Sequence, residues 1–110
     1  MANQYHRLLD SRKLKPNFVQ TSTDAYDAGA FRRLCIDVRI TKSGGAGNVK
    51  LQHAPVNEED AYRDLSNALW ILTGSGGYLV SDEHSRFIRA VTDAGVTNDP
   101  IVTIDLIGKQ

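Results

Sequence analysis

The sequence predicts an all-β chain: an antiparallel β-sandwich, jelly-roll-like, of about seven or eight short strands. Three observations lead there. Several segments alternate apolar and polar residues with period two, the pattern of a strand with one face on a core. Clusters of glycine, asparagine, aspartate and proline punctuate those segments at the spacing of sheet connections. No segment carries the long apolar periodicity of a crossover helix, which counts against a small α/β fold.

Taken in order, His6 to Leu9 and Phe18 to Thr23 are the first strand candidates, separated by a basic bend at Lys13-Leu14-Lys15-Pro16. Residues 1–23 thus read as an N-terminal arm or as edge strands of a single domain spanning 1–110. The strongest signal runs from Phe31 to Thr41: Leu34, Ile36, Val38 and Ile40 fall on one parity, Arg33, Asp37 and Arg39 on the other. Ser43 to Asn48 then supplies a glycine-rich reversal, and Val49, Leu51 and His53 alternate with Lys50 and Gln52. An antiparallel hairpin is expected from this pair.

Glu58 to Ser66 reads either as a short helical turn opened by acidic residues or as a polar loop. Leu69 to Thr73 follows as a strand, Gly74 to Gly77 as a turn, and Tyr78 to Ser81 as a short strand. Arg86 to Asp93 and Ile101 to Ile107 complete the set, with Val102, Ile104 and Leu106 facing the core and Asp105 facing away.

Length and composition bound the rest. A chain of 110 residues supplies one core, burying roughly two-thirds of the surface its unfolded form exposes. Thirteen basic residues balance thirteen acidic ones, so no long-range field draws the molecule to nucleic acid or to an anionic membrane. Cys35 is the only cysteine, which excludes an internal disulfide. The first residues lack the apolar run of a signal peptide, and no stretch approaches the roughly 20 apolar residues of a membrane span. Synthesis and folding in a cytoplasm are expected.

No segment supplies a catalytic, cofactor or metal site. Gly44 to Gly47 resembles a phosphate loop only in its glycines, because no GK[ST] and no helix follow. His6, His53 and His84 lack the spacing of a short metal motif. Glu58, Glu59, Asp60 and Asp64 lack the ligand spacing of a calcium loop. Ser81, His84 and Ser85 lack a nucleophile elbow, and Cys35 reads as a packed small hydrophobe. A non-enzymatic protein without cofactors is expected.

Arginines are the other prominent set: Arg32, Arg33 and Arg39 in one strand region and Arg86 and Arg89 in another, with Asp37 and Asp105 as cross-strand partners if those strands adjoin. Apolar residues on nominally outward parities mark candidate contacts between copies. Phe31 and Cys35 share the parity of Arg33 and Arg39, and Ile101 and Ile107 bracket Thr103 and Asp105. Tyr5, Leu8 and Leu9 add a third candidate contact, through an arm laid on a neighbour's sheet edge.

From residue 34 onward the chain resembles a group of small phage and prophage virion accessory proteins. The likeness lies in Leu34 to Ile40, the glycine turn, Val49 to Pro55, Arg86 to Thr92 and Val102 to Lys109. It implies a β-sandwich of the head-decoration, neck or connector type, located in the virion. It also implies partners among its own copies, with a trimer as first guess, and among other virion proteins such as the major capsid protein. No specific nucleic acid and no membrane are expected. Similar sandwiches serve as carbohydrate-binding modules, for which Trp70 with Tyr5, Tyr26, Tyr62 and Tyr78 would supply stacking rings.

Overall fold

In the structure, a computed structural model that describes residues 3–110, Leu34, Ile36 and Val38 are fully buried, as their parity predicts. They belong to β3 (Arg33–Lys42), one of eight strands. The others are β1 (Gln4–Lys13), β2 (Tyr26–Asp27), β4 (Asn48–Ala54), β5 (Arg63–Ile71), β6 (Gly76–Ser81), β7 (Phe87–Thr92) and β8 (Ile101–Lys109). They form two antiparallel four-stranded sheets, the first in the order β1-β8-β3-β6 and the second in the order β2-β7-β4-β5. The arrangement is all-β and consistent with a β-sandwich.

Leu34, Ile36 and Val38 of β3 and Val102, Ile104 and Leu106 of β8 line the inner face of the first sheet. Val49 and Leu51 of β4 and Ile88 and Ala90 of β7 join them in the same core cluster from the second sheet. Leu8 and Leu9 enter that cluster together although they are consecutive. A bulge explains this: Arg7 pairs with Asp105 and Leu9 with Ile104, so Leu8 is an extra residue. The side chain of the buried Gln20 ties that bulge to the second sheet, donating to the Leu8 carbonyl at 3.0 Å and accepting from the Ala90 amide at 2.9 Å.

The expected hairpin between β3 and β4 does not form. β3 pairs with β6 and β8, whereas β4 pairs with β5 and β7. The glycine-rich segment carries the chain from one sheet to the other. The Gly44 amide donates to the Leu72 carbonyl at 2.8 Å, the Gly45 amide to the Thr97 carbonyl at 3.1 Å, and Gly47 sits at φ +92° against the Val96 backbone. These glycines serve close packing of three loops, not a two-strand reversal.

Other expectations shift as well. Phe18 to Thr23 holds a single bridge, Val19 to Val91, and a 3-10 turn at Ser22–Asp24. The ambiguous acidic segment resolves into a 3-10 turn at Glu59–Ala61 followed directly by β5. β5 starts six residues before the expected Leu69, because Asn67 at φ +64° and a register shift opposite Lys50 and Gln52 break its alternation. Arg33 and Arg39 lie in the first sheet and Arg89 in the second, so the two arginine strands do not adjoin.

Gly76, at φ +109°, opens β6 where a Cβ would lie 1.9 Å from the Val38 carbonyl oxygen. Gly76→Ala should therefore lower unfolding free energy by about 1–3 kcal/mol or more, since both the dihedral and the contact oppose a side chain. Gly74→Ala, whose nearest neighbour would be 3.5 Å away, should stay within about 0.5 kcal/mol in the same urea titration.

Candidate functional site

Strand pairing decides what the outer face of the first sheet presents. One cross-strand row runs Tyr5, Ile107, Cys35, Val80; the next runs Arg7, Asp105, Asp37, Tyr78. Residues directly opposite one another share a face, so an apolar row lies beside a charged one. Tyr5 is 57%, Tyr78 61% and Val80 45% exposed, whereas Cys35 between them is only 3% exposed. The thiol is covered although its strand parity points outward: Ile107 and Val80 flank it, and the Tyr78 hydroxyl lies near enough for its pKa to be raised by Cys35. A covered thiol of this kind is inert packing.

Asp105 organises the charged row. The Tyr5 hydroxyl donates to Oδ1 at 2.6 Å, and Arg7 donates through Nε to Oδ1 at 2.8 Å and through Nη2 to Oδ2 at 3.2 Å. Arg39 Nη2 donates to Oδ2, and Arg39 also pairs with Asp37 at 3.4 Å. The Asp105 side chain keeps only 10% of its surface exposed. Burial by itself pushes its carboxyl up, but hydrogen bonds from Arg7 and Tyr5 and the charges of Arg7 and Arg39 together hold it below its ordinary value. The hydrogen bond to Asp105 raises Arg7 and Tyr5 in turn. Two arginines thus neutralise two aspartates within one face, and no net charge is left beside the apolar row.

The candidate contact residues divide accordingly. Tyr5, Cys35 and Ile107 meet in one row, Arg39 stands near it through Asp105, and Arg33 pairs with Asp82 at 2.8 Å at the end of β3. Leu8 and Leu9 are core residues of their own domain instead of arm contacts. Phe31 precedes β3 in a turn closed by its amide on the Ala28 carbonyl, and its ring packs over Gly108, so the parity of Arg33 does not extend to it. Ile101 lies six residues from Ile107, about 20 Å along β8. Tyr78, Val80 and Arg7 belong to the face and were not among the expected contacts. Tyr78 and Val80 share a parity in the sequence, but only the pairing of β6 with β3 reveals which face they occupy.

Several of the remaining groups are engaged structurally. The His53 Nδ1 accepts from the Ser85 amide at 2.9 Å, and burial, then the neighbouring His84, lowers its pKa. His6 stacks on Tyr26 with centroids 4.5 Å apart. Glu59 of the acidic segment pairs with the buried Arg89 at 2.8 Å, beneath which Tyr62 lies 4.0 Å from the guanidinium carbon. Among the described residues, no three or more His, Cys, Asp or Glu side chains gather as a metal site, and no helix is long and apolar enough to cross a membrane.

The sugar platform does not assemble. Trp70 packs against the core cluster and under Gly77, on the inner side of β6, while Tyr78 points outward from the same strand. Tyr26 and Tyr62 are buried. Tyr5 and Tyr78 stand on opposite edge strands, about 14 Å apart across three strand spacings.

No protein-family model matches the sequence, and no curated protein matches it. The structure is similar to the crystal structure of the SPBc2 prophage-derived protein YomS, with a TM-score of 0.57 and 13% sequence identity. That likeness covers 97% of this chain and 94% of the other. At such identity it shows a shared fold across nearly the whole length, the two-sheet β architecture described above.

Asp105→Asn tests the charged row. It should lower stability at pH 7 by about 1–3 kcal/mol, by replacing the nearly buried ionised acceptor of three half-exposed donors with a neutral amide. Because the folded carboxyl titrates below its unfolded value, its contribution is full above the ordinary carboxylate range and fades as pH falls through the folded value. Urea midpoints at pH 7 and pH 3 should therefore lie closer together in the variant than in the wild type. Asp27, Asp64, Asp93 and Asp99 are also held low, so part of the acid limb should persist.

Proposed function

We propose that this chain is a non-enzymatic structural component of a tailed-phage virion, a capsid decoration or connector protein that works through protein-protein contacts. The observation that carries the reading is the outer face of the first sheet, where an exposed apolar row adjoins charges already neutralised within the molecule. Such a surface loses little on desolvation beside a partner and favours contact over solvation. Its partners in this reading are other copies of the chain and neighbouring virion proteins such as the major capsid protein.

The strand orders β1-β8-β3-β6 and β2-β7-β4-β5 support a jelly-roll arrangement, an architecture that recurs in viral shells. The fold shared with a prophage-derived protein supports a phage origin. The virion is the location this reading requires, after synthesis in the host cytoplasm. Mass spectrometry of density-purified particles should find the polypeptide at a copy number fixed relative to the major capsid protein. Its presence in infected-cell lysate together with its absence from purified particles would overturn the reading.

A further inference from the structure

Edge strands of a sheet carry unpaired backbone groups, and the four edges of this molecule are treated very differently. β1 carries Arg7, Asp10, Arg12 and Lys13, two register shifts, and Ser11 at φ +46°. β5 carries Arg63 and Asp64 and is broken by a register shift and by Asn67. β2 is two residues long. Charge, bulges and brevity are the ordinary devices that stop a foreign strand from adding to a sheet.

β6 has none of them. Its sequence, Gly76-Gly77-Tyr78-Leu79-Val80-Ser81, holds no charge and no proline, and its register with β3 runs unbroken from Ser81 opposite Leu34 to Gly76 opposite Arg39. Among the described residues, no hydrogen bond outside the sheet engages the backbone of residues 77–80. A cleft of about 230 Å³ lined by Leu65, Asn67, Leu79 and Val80 opens between β5 and the Leu79–Ser81 end of β6. Trp70 of β5 meets Gly77 from the inner side, and among the described residues β6 has no strand partner other than β3. Tyr78 and Val80 stand exposed on its outer face.

The segment is also complementary to itself. In an antiparallel pair centred on Leu79, Tyr78 lies opposite Val80 of the second copy and Val80 opposite its Tyr78, on one face. Aromatic and β-branched residues directly opposite one another are a favourable cross-strand pair, and here the twofold axis makes it twice. No like charges come opposite one another, because β6 has none. We infer that β6 is a homodimerisation edge: two copies join β6 to β6 about a twofold axis, and their first sheets become one continuous eight-stranded sheet. This names the partner surface for the self-association in the proposed function, and it favours a twofold pair over a trimer.

A six-residue edge is a small interface, so dissociation in the range of about 1–100 µM is expected. Sedimentation velocity across that range should show a monomer–dimer equilibrium. Val80→Lys should weaken it by about tenfold or more, because each copy loses a cross-strand pair and faces a new charge. Far-UV circular dichroism of the monomer should be unchanged and its urea midpoint should fall only slightly, since Val80 is about half exposed in the single copy. Hydrogen exchange adds the location: amides within residues 77–81 should slow as concentration rises through the dissociation constant. Val80→Thr, which keeps the β-branched shape, should retain most of the association.

A wild-type protein that stays monomeric across the range, with residues 77–81 exchanging at one rate throughout, would refute the inference. So would a dimer that Val80→Lys leaves intact. Neither result bears on whether the polypeptide is found in purified particles, so the virion reading fails or stands separately.

Discussion

The packing of β3 and β8 against β4 and β7 is the constraint on which the rest of the molecule depends. Their inward residues are almost all aliphatic and fully buried, and the period-two rule then assigns every other residue of those strands to an outer face. A slip of one residue in β8 would expose Val102, Ile104 and Leu106 together and carry Asp105 inward. Register is therefore fixed by burial on one side, and the chemistry of the outer side follows from it. The connections obey the same constraint. Of the seven links between successive strands, only the β4–β5 link stays within one sheet. Each of the others must cross the sandwich edge.

That geometry explains how a carboxylate on a solvent-facing parity becomes nearly buried. Asp105 sits on a strand with neighbours on both sides, so long side chains from β1 and β3 converge over it. Tyr5 and Arg7 reach it from one flank and Arg39 from the other. Ion pairs on an open surface contribute little, but this one binds three strands at one atom pair and covers itself with the stems of its own partners. Gln20 plays the corresponding part between sheets. Its amide answers the carbonyl that the Leu8 bulge leaves without a ladder partner.

The sequence made the strands of the core legible and left their partners obscure. β3 and β8 follow clean alternation, and their inward residues are read correctly because apolar residues recur on the core parity. β7 is legible as a strand, but both of its parities are buried, so its sequence does not mark an inward face. β5 is blurred by Asn67 in a left-handed conformation, which moves later residues out of phase. The expected β3–β4 hairpin failed for a different reason. Glycine-rich segments signal unusual backbone, and the same residues serve a tight reversal or a close approach between loops; only the Leu72 and Thr97 carbonyls distinguish the two. Half of the outer face was legible, through Tyr5, Cys35, Arg39 and Ile107. Tyr78 and Val80 were missed because they acquire meaning only from a strand far away in sequence. Phe31, Leu8 and Leu9 were misplaced because turns and bulges suspend the alternation that parity arguments require.

In the twofold arrangement the two kinds of row no longer run separately. The row Tyr5, Ile107, Cys35, Val80 of one copy continues across the axis into Tyr78, Asp37, Asp105 and Arg7 of the other, and the reverse holds for the second row. The centre of the combined face is then apolar, built from two Tyr78–Val80 pairs, while the neutralised arginine–aspartate groups lie toward both ends. A surface of that design is larger than either copy offers alone. Its apolar centre excludes water and its ends supply orientation, which is the division of labour found in specific protein contacts. The bulged and charged β1 edges terminate it on both sides, so pairing closes at two copies and does not propagate into a fibre.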